Sequence, residues 1–236
     1  MFYNPRVAGT LALVALASLA AGPSPDGGPG PAPSAGRVVE EVVAVIRPPR
    51  GEARIITLTK LTEEGRIALV SRGGLEAAFR SLDRAALQAS LEWYIDQLLL
   101  FDEATRLRVF EVDRGDALAA LGRFKEVFPR PEDYRAFLFE IDVTEEELLA
   151  TLRRTLRVRR YLESRLGRVR VSDAEAEAWH RRHAAEMGDL PFADVRDAVK
   201  ARVAEERADA ETRAILADLR SRSDVRVLAG GQLGEP

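Results

Sequence analysis

The chain has 236 residues, 46% of them hydrophobic and 31% charged, which is enough apolar material for a packed core in one or two domains. With 35 bases against 38 acids the net charge is −3, so the basic excess of a nucleic-acid footprint is missing. There is no cysteine, which excludes a disulfide frame, a thiolate nucleophile, a thiolate metal site and a lipid-bearing cysteine.

Residues 1–20 read as an export signal. Arg6 supplies a positive start, and Val7 to Ala21 is an uncharged Leu/Ala-rich run too short for a comfortable membrane span. Ser18 and Ala20 suit the small-residue positions before a cut after Ala20; an uncleaved anchor is the alternative. Residues 21–37 read as a disordered linker, because Gly22 to Gly36 is two-thirds glycine and proline and cannot bury apolar surface. Its Gly-Pro-Gly has no strand before it and no helix after it, so a phosphate loop is excluded.

The folded domain is expected over 38–228, with a frayed tail over 229–236. "RVVEEVVAVI", Arg37 to Ile46, is rich in β-branched residues and predicts a strand; "RPPRGE" turns the chain; "ARIITL", Ala53 to Leu58, predicts a second strand. From Thr59 the pattern becomes helical, with Glu63 and Glu64 as N-terminal acids, and it stops at Gly73-Gly74. A long helix runs from Asp83 to about Arg108. Leu87, Leu91, Tyr94, Ile95, Leu98, Phe101 and Ala104 keep helical spacing there, and its width of apolar surface predicts the core of the domain.

Asp113 caps the next helix, striped by Leu118, Leu121, Phe124 and Phe128 and ended by Pro129 and Pro131. "PEDYRAFLFEI" is a short helix. Thr144 and Glu147 form a capping box for a helix whose apolar face is Leu148, Leu152, Leu156 and Leu162, closed by Gly167. Ser172 and Glu175 repeat the box for the stretch Val171 to Met187. A final helix carries Val195, Val199, Val203, Ile215 and Leu219 on one side, with a charged middle that stands partly in solvent. "DVRVL", Asp224 to Leu228, predicts a last strand, which needs a partner; the N-terminal pair is the obvious one. The expected fold is mainly α, a multi-helix body with a small β-sheet joining the N-terminal strands to a C-terminal strand.

Both histidines lie in Val171 to Met187. Glu177, His180, His183 and Glu186 share a helix face, a donor set that could hold zinc or iron. Bundle carboxylate sites need a matching Glu-x-x-His elsewhere, and the chain has no third histidine. The other reading explains more residues: Ala176, Trp179, His183 and Met187 form one packing face, with Trp179 as its anchor. The arginines Arg153, Arg154, Arg157, Arg159, Arg160, Arg165, Arg168 and Arg170 either face an anionic partner or form a solvated face paired with glutamates; the second is the expectation. Glu145, Glu146 and Glu147 are read as helix N-terminal acids. No serine sits in a Gly-x-Ser-x-Gly elbow, and no catalytic, cofactor-binding or metal-binding residue is assigned.

"VSDAEAEAWHRRHAAEM" resembles a segment of the SurA-type periplasmic chaperones, of the form V-S-D-x-E-V-x-x-Y-Y-x-x-H-x-x-x-F. Trp179 and His180 take the paired aromatic positions, His183 the histidine and Met187 the phenylalanine. The segments "VVEEVVAVI", "ARIITLTKL", "LQASLEWYIDQLLLFDEATRLRVFEV" and "FKEVFPRPEDYRAFLFEIDVTEEELLATLRRTLRVRRYL" are similar to the family's N-terminal module in order and spacing. Parvulin domains, which such proteins often carry, have no counterpart: "GDLPFADVRDAVK" passes straight into the last helix. The resemblance implies an ATP-independent periplasmic holdase for unfolded or extended envelope and outer-membrane polypeptides, with no cofactor and no isomerase activity. The alternatives are a structural adaptor for one folded envelope protein and an isomerase-related protein with little or no activity.

Overall fold

The computed structural model describes residues 40–50, 52–167, 170–187 and 190–228. The expected signal (1–20), linker (21–37) and tail (229–236) lie outside the described residues, as does the side chain of Arg168. The chain folds as strand β1 (Val42–Arg47), strand β2 (Arg54–Thr57), helices α1 (Leu58–Ser71), α2 (Arg84–Arg106), α3 (Arg114–Lys125), α4 (Pro131–Glu140), α5 (Glu145–Leu166), α6 (Asp173–Arg182) and α7 (Phe192–Ser221), and strand β3 (Asp224–Val227). Two short 3-10 turns, Leu75–Ala78 and Ala184–Met187, follow α1 and α6. The mainly α class and the closing sheet are as expected. Among the described residues no helix is long and apolar enough to cross a membrane.

The sheet has the order β2-β1-β3, with both pairings antiparallel. Ala44 lies opposite Ile56 on one side and Val227 on the other. A bulge between Val42 and Ala44 lets Val43 and Ala44 both turn inward, and each is fully buried. The first strand is shorter than its β-branched run suggested, starting at Val42, so Glu40 and Glu41 precede it.

Two apolar clusters form the body. The first joins the inner sheet face to α2, the second half of α5 and the end of α7, through Ile46, Ile56, Leu91, Ile95, Val158, Tyr161, Ile215 and Leu219. The second joins α1 to α3, α4 and the first half of α5. At its centre Phe124, Phe128, Tyr134 and Phe137 meet with ring centroids 5.5 to 6.4 Å apart, and Phe137 is fully buried, worth roughly 1.5–3 kcal/mol of transfer free energy. A third, smaller cluster pairs Ala176 of α6 with Val199 and Val203 of α7. Helix α7 therefore bridges two clusters, and from residue 204 to residue 214 none of its side chains is buried, as its charged middle predicts.

Helix starts follow the sequence closely. Asp83, Asp113, Thr144 and Ser172 are N-caps whose side chains accept from backbone N–H groups, and both capping boxes are complete. Several expectations are corrected. The cap of α1 is Thr57, and Glu64 is a fully buried residue beyond the first turn rather than a helix-opening acid. Helix α3 ends at Lys125, before the prolines, and Pro131 opens α4, where its missing N–H costs nothing. Leu118 of the α3 stripe is 46% exposed; Ala117 and Ala120 take the inward positions because α3 rests on α5 through a narrower face. Helix α6 ends at Arg182 instead of running through to Met187, with His183 as its cap.

Candidate functional site

The two histidines do not converge. His180 is buried and donates from Nε2 to the Leu190 carbonyl at 2.9 Å, with its ring 5.6 Å from that of Phe192. His183 donates from Nδ1 to the Trp179 carbonyl at 2.8 Å and stacks on the indole, centroids 4.0 Å apart. Glu177 points to solvent, and the side chains of Glu186 and Met187 lie outside the described residues. Among the described residues no group of three or more His, Cys, Asp and Glu side chains is placed to hold a metal ion. The end of α6 at Arg182 turns the chain so that its imidazoles serve the packing of α6 on α7. Trp179 Nε1 completes that contact by donating to Glu206 at 3.0 Å.

The arginines of α5 do something that neither sequence reading anticipated. Arg157 donates from Nε to the Phe110 carbonyl at 3.2 Å, Arg153 from Nε to the Val112 carbonyl at 2.9 Å, and Arg160 to the Glu111 carbonyl. Phe110, Glu111 and Val112 lie in the irregular link between α2 and α3, where carbonyls have no helical partner. Three guanidinium groups thus hold the link that lets α3 return along α5. Arg160 also pairs with Asp116, Arg154 pairs with buried Glu64 at 2.5 Å, and Arg165 with Glu211 at 3.6 Å. Arg159 stays exposed, and the Arg170 carbonyl accepts from Arg207 at 2.9 Å. The face is thus a set of backbone struts more than a ladder of glutamate pairs.

This arrangement opens a groove of about 910 Å³ between α3 and α5, with Phe101 of α2 also in its lining. Leu118 and Leu121 form the α3 wall, and Leu149 and Ala150 the α5 wall. Arg114, Arg153 and Arg157 stand on its rim, and Glu145 and Glu146 lie at the α5 start. Glu145 is already engaged: Lys125 pairs with it at 2.8 Å and Tyr134 donates to it at 2.9 Å, which together hold its carboxyl below the usual range. The half-exposed Leu118 is an apolar surface waiting in a trough, not a core residue.

A second cleft, about 590 Å³, lies between Pro48-Pro49 and the facing ends of α2 and α7. Two of its arginines are already paired: Arg106 with Glu103 at 2.6 Å and Arg222 with Asp218, outside the cleft, at 2.7 Å. Burial raises the Asp102 carboxyl, and Arg54 opposes the rise. This cleft has fewer uncommitted groups than the α3–α5 groove, which is the better candidate site. No residue pattern in the sequence marked that groove; the only signal was a leucine at a position where the α3 stripe is already filled by alanines. Comparison with protein-family models, with curated proteins and with solved structures finds no match to this chain.

Proposed function

We propose that the protein binds extended or unfolded polypeptide segments without ATP, as a holdase for exported envelope proteins in the periplasm. The observation that carries this reading is the α3–α5 groove: an open trough with leucine walls, arginines on its rim and a volume of about 910 Å³. Concave, mostly apolar surfaces with a few placed polar groups are where flexible ligands dock. The large apolar side chains left outside the core, such as Phe139 at 89% exposure and Val109 at 75%, are of the kind that contacts unfolded chains. The likeness of Val171 to Met187 and of the preceding segments to SurA-type chaperones supports the same reading. Shielding needs no reacting group, and no catalytic residue is assigned.

An aggregation-suppression assay tests it. The protein should keep several unrelated unfolded proteins in solution at near-stoichiometric amounts, and Leu118→Asp should weaken that effect while leaving the fold intact. Failure with every client, or action on one folded protein only, would replace the holdase with an adaptor. Acceleration of proline-limited refolding well below stoichiometric amounts would replace it with an isomerase.

A further inference from the structure

We infer that the α3–α5 groove selects extended polypeptide segments in which carboxylate side chains alternate with apolar ones. This rests on the polypeptide-binding reading above and names the client chemistry. Of the groove's four arginines, Arg154 is committed to Glu64 at 2.5 Å, while Arg114, Arg153 and Arg157 make no ion pair with any described carboxylate. Of its two acids, Glu145 is committed to Lys125. Three uncommitted cations therefore face one uncommitted acid, Glu146, in a protein whose net charge is −3. The groove is a local positive trough on an acidic molecule, and its complement is a carboxylate.

Preorganisation sharpens the point. The Phe110 and Val112 carbonyls fix Arg157 and Arg153 through their Nε–H groups. Thr105 Oγ1 takes one terminal nitrogen of Arg157 at 3.3 Å. The remaining terminal N–H groups are free of described partners, and the side chains that carry them have already lost much of their rotamer freedom. Such a guanidinium binds a carboxylate at lower entropic cost than a free surface arginine. Spacing gives the alternation. Arg153 and Arg157 lie one turn apart on α5, about 6 Å along its axis. Alternate residues of an extended chain lie about 6.8 Å apart and point to the same side. The intervening residues then turn toward the other wall, where the half-exposed Leu118 presents apolar surface above the buried Leu121.

The test compares short fluorescent peptides of alternating Glu and Leu, Gln and Leu, and Lys and Leu, binding to the full chain. The Glu/Leu peptide should bind about tenfold more tightly than Gln/Leu, with Lys/Leu weakest, and its advantage should shrink as salt rises. Arg114→Glu, an exposed residue that supports no backbone carbonyl, should remove most of that advantage, weakening Glu/Leu binding far more than Gln/Leu binding. Leu118→Asn should weaken both. Equal affinity for Glu/Leu and Gln/Leu overturns the inference while the holdase reading stands. So does aggregation suppression with no binding of any peptide. Absence of both peptide binding and suppression overturns both. Preference for anionic vesicles or an oligonucleotide over Glu/Leu, or a self-associated chain that the peptide cannot displace, also overturns it.

Discussion

Thr151 Oγ1 donates to Glu64 Oε1 at 3.1 Å, joining α5 to α1 across 87 positions of sequence at a carboxylate with no solvent exposure. Lys60 lies 3.4 Å from the same oxygen. Arg154 approaches the other oxygen to 2.5 Å without directing an N–H along the contact, so Oε2 has an ion-pair neighbour but no hydrogen bond. A buried acid held by two cations and a hydroxyl fixes which turn of α1 meets which turn of α5.

Removal of Glu64 leaves Arg154 and the Thr151 hydroxyl without their partner in a closed space. Glu64→Ala is expected to destabilise the protein by about 3–5 kcal/mol, the range for breaking a buried pair from one side. Glu64→Gln should cost less, because it can still accept from Thr151. Chemical denaturation of the two variants measures the difference; equal stability of Glu64→Ala and the parent would remove the latch.

Gly65, the next residue, lies where α1 packs tightly against Ser90 of α2. A Cβ built there would sit 2.7 Å from Ser90 Oγ and 3.0 Å from Ser90 Cβ. Alanine would gain about 1 kcal/mol in helix propensity, but overpacking costs about 1–3 kcal/mol, and Ser90 is a short side chain on a buried helix face with nowhere to go. Gly65→Ala should be net destabilising, and combining it with Ser90→Gly should recover stability beyond the sum of the single effects. Thermal melts of the four proteins in the cycle check it.

The α2–α3 link depends on its arginine struts. Arg157→Ala leaves the Phe110 carbonyl without its donor and should cost about 1–2 kcal/mol. Arg157→Lys should recover little, since a single ammonium cannot reach the carbonyl and the Thr105 hydroxyl as a planar fork does. Limited proteolysis provides the readout: cleavage near Val109, already 75% exposed, should rise in both variants.

Acid should act first on the contact between α6 and α7. The Arg207 guanidinium and the Ser172 backbone and hydroxyl hold the Glu175 carboxyl down at about 2, below its ordinary 4.5. Lys200, then Arg196, lower Asp173 in the same way. A depressed carboxyl stabilises the fold above its ordinary range, and that contribution is lost as pH falls from about 4.5 toward 2. At Asp96 of α2 the sign is opposite. Burial raises Asp96, with Arg220 opposing, so folding takes up a proton there and the burden of its charge eases as pH falls. In a Trp93→Phe protein, Trp179 emission should therefore change at a higher pH than the overall helix signal. Coincident transitions, or no effect of Glu175→Gln on the first one, would contradict this.

The parts of the fold legible in the sequence are those that depend on near neighbours. A cap needs only the residue and the backbone three positions on, so Asp83, Asp113, Thr144 and Ser172 announce themselves. The sheet was legible because a lone last strand must find a partner. Glu64, Gly65 and the arginine struts were not, because each acquires its role only when two distant helices meet. An arginine-rich face looks the same in sequence whether its partners are glutamates, water or carbonyls 41 to 49 positions away. Leu118 followed the expected stripe, yet α3 settles on α5 through alanines, and the leucine is left for the groove.

The sheet sets an order of events for a chain that emerges amino end first. Strand β2 follows β1 closely in the sequence, but the residue facing Arg47 from its other side, Asp224, comes 177 positions later. Until then one flank of β1 shows unpaired amides and carbonyls, and Ile215 and Leu219 have not yet arrived to cover α2. Loss of the last strand would leave that flank open for good, a template on which copies of the protein could stack.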